Sequence, residues 1–400
     1  MSVPGANHFS AERLQRIDKV VQQYIDSGWI AGAISLVAKD GKIVYYKAAG
    51  YDDKANNKPM QKDEIFRIAS QTKAITSVAV MMLFEEGKFL LDDPISRYIP
   101  AFAGQRVLDK FNKEDSSYTT VAAKRAVTIR DLLTHTSGIG YAQIGSPEMN
   151  AIYYKAGVVG GIGLVDGMVL SDNILRLAKL PLSHQPGEKW TYGLNVDVLG
   201  YLVEVLSGMS LSDYFQKKIF EPIGMKDTYF HIPKEKQSRL ATLYTEDKTR
   251  HIVPAHEKLW VNGDFYPDYP NTSQTFFSGG GGLSSTAYDY AIFMQMLLND
   301  GEYNGHRILS PHTIHMMTTN QVGDLRGNTS FGLGFEVVLE KNSGRTMSSI
   351  GTFSWGGMFS SGYWIDPKEK IVAQFVLQIY PNRHGELGEK FKNLVYQALE

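Results

Sequence analysis

Apolar residues return every three or four positions between residues 10 and 27, at Leu14, Ile17, Val20, Val21, Tyr24 and Ile25. This spacing predicts a helix with one buried face. The pattern then changes to two strand-like runs, Ala31–Ala38 and Lys42–Ala48, joined by Lys39-Asp40-Gly41. Asp-Gly between such runs predicts a hairpin. A dense apolar stretch follows at Ala74, Ile75, Val78, Ala79, Val80, Met81, Met82, Leu83 and Phe84, with Gly87 just beyond it. It predicts a buried helix with a glycine stop.

Further on, Leu91-Asp92-Asp93-Pro94 marks a turn, residues 104–126 are polar, and Val127–Leu133 opens a short helix. Ser171-Asp172-Asn173 precedes Ile174, Leu175, Leu177, Ala178 and Leu180 and reads as a helix cap. Helices are expected from near Asp197 to Gly208, over Leu211–Phe220 and over Tyr288–Asn299. Strands are expected at Gly332–Leu339, Thr346–Gly351, Met358–Ile365 and Ile371–Leu377, then a closing helix at Glu386–Leu399. Strands and one helix therefore lie at each end of the chain, with helices between.

Four hundred residues exceed one ordinary domain, so two domains or one core with a large insertion are expected. The 41 basic and 42 acidic residues nearly cancel, and no long basic run offers a nucleic-acid surface. The chain has no cysteine, which excludes disulfides and thiolate catalysis. Its apolar runs are too short to span a bilayer, and its start carries no signal-peptide core. As it stands the chain is expected to be cytoplasmic, or periplasmic or secreted had an export signal been removed. The oligomeric state is not legible.

The candidate chemistry begins at Ser70-Gln71-Thr72-Lys73, the only S-x-x-K in the chain. Residues three apart on a helix share a face, so Lys73 can reach the Ser70 hydroxyl. Ser70 would sit at a helix N-terminus, where the dipole and free N–H groups favour developing negative charge. A serine needs a base beside it, and a buried lysine can serve. Tyr192, on the loop before the helix near Asp197, is either core packing or a phenol able to shuttle a proton. His135 reads as a structural histidine tying down a loop, since Lys73 already offers a base. The glycines of 157–170 lack a phosphate-binding pattern and read as a flexible loop over the site. Residues 231–275, with Trp260, Tyr266 and Tyr269, are expected to wall the substrate pocket. No cofactor or metal is expected: there is no H-E-x-x-H, and His312 and His315 lack further obvious ligands.

Three stretches together resemble one family. Ser70-Gln71-Thr72-Lys73 resembles the nucleophile motif of class C β-lactamases and DD-peptidases. Pro186-Gly187-Glu188-Lys189-Trp190-Thr191-Tyr192 resembles the loop carrying their tyrosine. Ser354-Trp355-Gly356-Gly357 stands in the place of their K-T-G strand. The likeness covers roughly residues 10 to 395. Two departures matter: Trp355 replaces the K-T-G lysine, and Leu194 stands where the family's Y-x-N has asparagine, with Asn195 one further. W-G-G with an intact Ser/Lys/Tyr set is similar to family VIII carboxylesterases. G-x-S-x-G is absent, against an α/β-hydrolase.

The resemblance implies an α+β fold, β-lactamase/transpeptidase-like, with a central antiparallel sheet flanked by helices. It implies a discontinuous α/β domain of residues 1–90 and 280–400 around a mainly helical insertion, 91–279. It implies Ser70, Lys73 and Tyr192 as catalytic residues and the N–H groups of Ser70 and Met358 as the oxyanion hole. Trp355, Gly356, Gly357, Tyr141 and Leu194 would contact a small-molecule ester. The implied activity is hydrolysis of short-acyl carboxylic esters. The alternatives are a β-lactamase or DD-peptidase, or an acyltransferase of the same fold.

Overall fold

The computed structural model describes residues 9–163, 167–255, 259–260 and 264–400. The first amphipathic repeat folds as α1 (Ala11–Asp26), capped by Ser10, whose hydroxyl accepts the Arg13 N–H. It buries Leu14, Ile17, Val21, Tyr24 and Ile25. β1 (Gly32–Lys39) and β2 (Lys42–Asp53) form the expected hairpin. Asp40 and Gly41 both take left-handed φ, 51° and 71°, which suits a tight turn between right-twisted strands.

β3 (Lys58–Pro59), β4 (Ser330–Phe331), β5 (Glu336–Val337), β6 (Phe353–Gly357), β7 (Ser361–Asp366) and β8 (Ile371–Val376) complete an eight-stranded sheet. Its order is β4-β5-β6-β7-β8-β1-β2-β3, antiparallel at every pairing. β1 beside β8, with Ile34 opposite Val376 and Lys39 opposite Ile371, joins the two ends of the chain. β1 is buried along its whole length, so both faces of the sheet are covered. Ala33 and Val37 point into one apolar cluster with residues of the terminal helices. Leu36 and Ala38 point into the other, larger one.

Six further helices matter here: α2 (Thr72–Glu85), α3 (Ile129–Leu133), α4 (Leu170–Leu177), α5 (Asn195–Ser207), α6 (Ala287–Leu298) and α7 (Glu386–Tyr396). α2 is buried from Thr72 to Met81 and again at Leu83. A helix apolar on all sides has to lie inside the core. Gly87 follows with φ 71°.

The last third differs from the expected strands. Of the strand expected over Gly332–Leu339 only the short β5 forms, and a bend at Gly334 with φ 98° separates it from β4. Residues 346–351 form no strand; it falls instead on Phe353–Gly357, where strand propensity is low and pairing with β5 on one side and β7 on the other holds the strand. Ser360, with φ 68°, turns the chain between β6 and β7, so the strand expected from Met358 begins at Ser361. The polar stretch 104–126 contains a ribbon, Arg106–Phe111 paired with Tyr118–Ala122. Its residues are mostly exposed, so it lacks the alternation that marks a half-buried strand.

Ser171-Asp172-Asn173 is not a cap. α4 is preceded by Val169 as its N-cap residue, and the triplet lies in the first turn. Asn173 is fully buried, and its amide holds both Val159 backbone groups, at 2.9 and 3.2 Å.

Candidate active site

A single 3-10 turn, Ala69–Gln71, leads into α2 and carries Ser70. Ala69 has φ 44°, a strained conformation for a residue with a Cβ. The chain on either side is pinned: the Ile68 N–H donates to Leu283 O at 3.1 Å and the Gln71 N–H to Ile68 O at 3.1 Å. The buried Arg67 just upstream donates to the carbonyls of Pro267 at 2.6 Å and Ala241 at 2.7 Å, tying the turn to both residues. Behind it, β6 comes so close that a Cβ on Gly357 would meet Ile68 O at 2.4 Å. Gly357→Ala should therefore push the Ser70 turn out of place. Ester turnover should fall at least about tenfold, with stability lowered by roughly 1–3 kcal/mol, read from kinetics and a denaturant titration.

Ser70 Oγ is met from two sides. Lys73 Nζ donates to it at 3.1 Å and the Tyr192 hydroxyl at 2.8 Å. Lys73 is 2% exposed, and its ammonium also donates to Gly280 O at 2.6 Å. It lies 4.7 Å from the Tyr192 ring centre and 5.6 Å from that of Tyr141. Burial alone would raise the Tyr192 phenol, but the Lys73 charge and the hydrogen bonds around the hydroxyl outweigh it and lower the phenol below 10. The neighbouring Tyr141, without such help, is pushed well up by burial.

The Tyr192 ring is wedged among His135, Tyr141 and Trp355, with ring centres 5.0, 5.3 and 5.5 Å away. His135 does not bond Ser70. Its ring bonds the Asn195 amide at 3.0 Å, and its carbonyl accepts the Thr191 N–H at 2.8 Å. It holds the tyrosine loop, as a structural histidine would. Asn195 likewise faces the 137–139 segment, accepting from Ser137 and donating to Ile139 O.

A cavity of about 340 Å³ opens beside Ser70. Ser70, Tyr192, Tyr141 and Met358 line it. Its other walls are Ile144, Val158, Val159, Ile162 and Phe265, and no charged side chain is among the described residues that line it. Trp355, Gly356 and Gly357 instead line an adjoining groove of about 620 Å³, which shares Met358 and Tyr380 with the first cavity. Leu194 lines neither: its side chain is fully buried beneath α5, because the residue directly before a core helix packs inward. The pocket wall from 231–275 is Phe265; Tyr269 is buried behind it, and Tyr266 is not among the lining residues. The Trp260 side chain lies outside the described residues.

Of the glycine-rich stretch, Gly157 to Ile162 border the cavity, and residues 164–166 lie outside the described residues. Two of its glycines serve close packing: a Cβ on Gly160 would overlap the Gln143 amide, and one on Gly163 would overlap the Phe265 ring.

Two groups at the site escaped the sequence reading. Arg326 lies 4.3 Å over the Trp190 ring and 5.9 Å from that of Trp355, paired with Glu336 at 2.8 Å. Asp197, in the first turn of α5, is 1% exposed. Burial raises its carboxyl, opposed by the Lys73 charge and by hydrogen bonds from Ser278 and Gly280. An aspartate opening an apolar helix was the available signal, but it reads equally as a first-turn helix residue. Among the described residues no group of three or more His, Asp or Glu could hold a metal ion. None of the described helices is long and apolar enough to cross a membrane.

The sequence matches the Beta-lactamase family over residues 17–397. It is 34% identical over 381 residues to Protein Rv1367c of Mycobacterium tuberculosis (strain ATCC 25618 / H37Rv), covering 90% of this chain and 89% of that one. It is 30% identical to Esterase EstB of Burkholderia gladioli, over 97% of this chain and 96% of that one. Its structure is similar to that of EstCE1, described as a hydrolase with promiscuous acyltransferase activity. The TM-score is 0.84 at 28% identity, over 96% of this chain and 99% of that one.

Proposed function

The chain belongs to the beta-lactamase family, and from that premise we propose that it is a carboxylesterase cleaving short-acyl esters through an acyl-enzyme on Ser70. One observation carries this reading. Ser70 Oγ lies within hydrogen-bond reach of both Lys73 and Tyr192, while Trp355 stands in the place that the resemblance to class C β-lactamases and DD-peptidases gives to the K-T-G lysine. The likeness to Esterase EstB and to the hydrolase EstCE1 supports the same activity.

Ser70 Oγ attacks the ester carbonyl as its proton passes to the Lys73/Tyr192 pair. The N–H groups of Ser70 and Met358 receive the oxyanion, each worth about 3 kcal/mol in the transition state. The pair returns the proton to the departing alkoxide, and the alcohol leaves. Water then attacks the acyl-enzyme by the same route and frees the acid and Ser70. The uncharged lining of the cavity favours neutral esters.

An acyltransferase reading is favoured by one finding, the transferase activity in the description of EstCE1. In that case an added alcohol would replace water in the second step. The decisive assay sets p-nitrophenyl butyrate against nitrocefin. Butyrate turnover should exceed nitrocefin turnover by at least about a hundredfold in kcat/KM, since no lysine meets the β-lactam carboxylate. Comparable rates would mean that a cation such as Arg326 performs that task, and would overturn the esterase assignment in favour of a β-lactamase.

A further inference from the structure

Lys73 touches more than Ser70. Its ammonium donates to the Gly280 carbonyl at 2.6 Å, and the N–H of the same residue donates to Asp197 Oδ1 at 3.2 Å. The Ser278 hydroxyl donates to that oxygen at 2.6 Å. Asp197 Oδ2 has no hydrogen-bond partner among the described residues, although the side chain is fully buried. A bare carboxylate oxygen in the interior is costly unless a charge offsets it. The backbone is fitted around this carboxylate. A Cβ on Gly280 would fall 2.2 Å from Oδ2, and one on Gly161 would fall 3.1 Å from Oδ1. Two separate glycine segments thus close over one aspartate that takes no direct part in acyl transfer.

We infer that Asp197 is a positioning residue: it supplies the counter-charge of the Lys73 ammonium across the backbone of Gly280, and so leaves the Tyr192 hydroxyl to exchange the proton with Ser70. This deepens the esterase reading and rests on it. The ammonium then serves as a fixed charge that steadies the Tyr192 phenolate, and Gly280 fixes where it points. The titratable groups whose interactions join this site are Lys73 on α2, His135 and Tyr141 on the segment after α3, and Tyr192 on the loop before α5. An opposite charge holds a proton on an ammonium to higher pH; removing that charge releases it at lower pH.

The test is Asp197→Asn, close in shape but without the charge, beside Ser278→Ala, which removes one hydrogen bond and keeps the charge. In wild-type enzyme, butyrate hydrolysis must first be lost on Ser70→Ala; if it is not, the esterase reading fails before Asp197 is tested. Asp197→Asn should lower kcat at least about tenfold with KM within about twofold, and move the alkaline limb of the rate profile down by about one pH unit. Ser278→Ala should leave that limb in place, because the carboxylate charge stays. An unchanged limb in Asp197→Asn, or an equal shift of the limb in Ser278→Ala, would overturn the inference. Should Asp197→Asn not fold, the wild type decides by infrared spectroscopy with ¹³C-labelled aspartate at about pH 8. Only ionised carboxylate bands are expected there, and a protonated aspartate band would overturn the inference.

Discussion

Ser70→Ala should abolish ester hydrolysis, lowering kcat by about a thousandfold or more. Ser70 Oγ is the hydroxyl on which both Lys73 and the Tyr192 hydroxyl converge. Ser278 also lines the cavity, but its hydroxyl is committed to Asp197 at 2.6 Å. Tyr141, which lines it too, has its phenol raised well above 10 by burial and so is a poor nucleophile. The loss should not come from unfolding. Ser70 is only half-buried, its turn is held by backbone bonds of Ile68 and Gln71, and alanine has no group that this turn would exclude. The thermal midpoint should therefore stay within a few degrees of wild type, about 1 kcal/mol for a chain of this size. Initial rates on p-nitrophenyl butyrate and a circular-dichroism melt check both halves. Turnover within tenfold of wild type in a folded variant would remove Ser70 from the mechanism.

The parts of the site that could be read from sequence are those written in local spacing. Ser70 and Lys73 are three residues apart on one helical face, and a dense apolar helix behind them locates the pair in the core. Tyr192 is 122 residues away from Ser70; no periodicity links them, and only the order of motifs along the chain did so. The same division runs through the fold. α1, α2 and the β1–β2 hairpin carry their own period and turn chemistry and lie where the pattern puts them. β4 and β5 are two residues each, too short for alternation to appear, and β6 is placed by its neighbours rather than by its Trp-Gly-Gly composition. Leu194 was misassigned because a motif position fixes a backbone location but not the direction of a side chain. Asp197 was passed over because its meaning depends on Gly280, 83 positions later, closing over it.

Tyr192→Phe is the second large effect, and it separates the roles of the two bases. The variant keeps the ring between His135, Tyr141 and Trp355 and removes only the hydroxyl bonded to Ser70 at 2.8 Å. KM should stay within about threefold, because the cavity wall is unchanged, while kcat falls about 10²- to 10⁴-fold, the range for loss of a general base. The pH profile supplies the sign. A phenol acting as base must be ionised in the free enzyme, so wild-type kcat/KM should fall as pH drops through its pKa. That acid limb should lie below 10, because the Lys73 charge and the hydrogen bonds at the hydroxyl outweigh the opposing effect of burial. In Tyr192→Phe the limb should vanish, leaving a low rate that no longer follows this titration. If kcat instead fell less than threefold and the limb stayed where it was, Lys73 would be the base unaided. Tyr192 would then be packing, and the inferred role of Asp197 in keeping Lys73 charged would fall with it. Loss of both rate and limb would place the proton transfer on the phenol, with the ammonium as its fixed electrostatic partner.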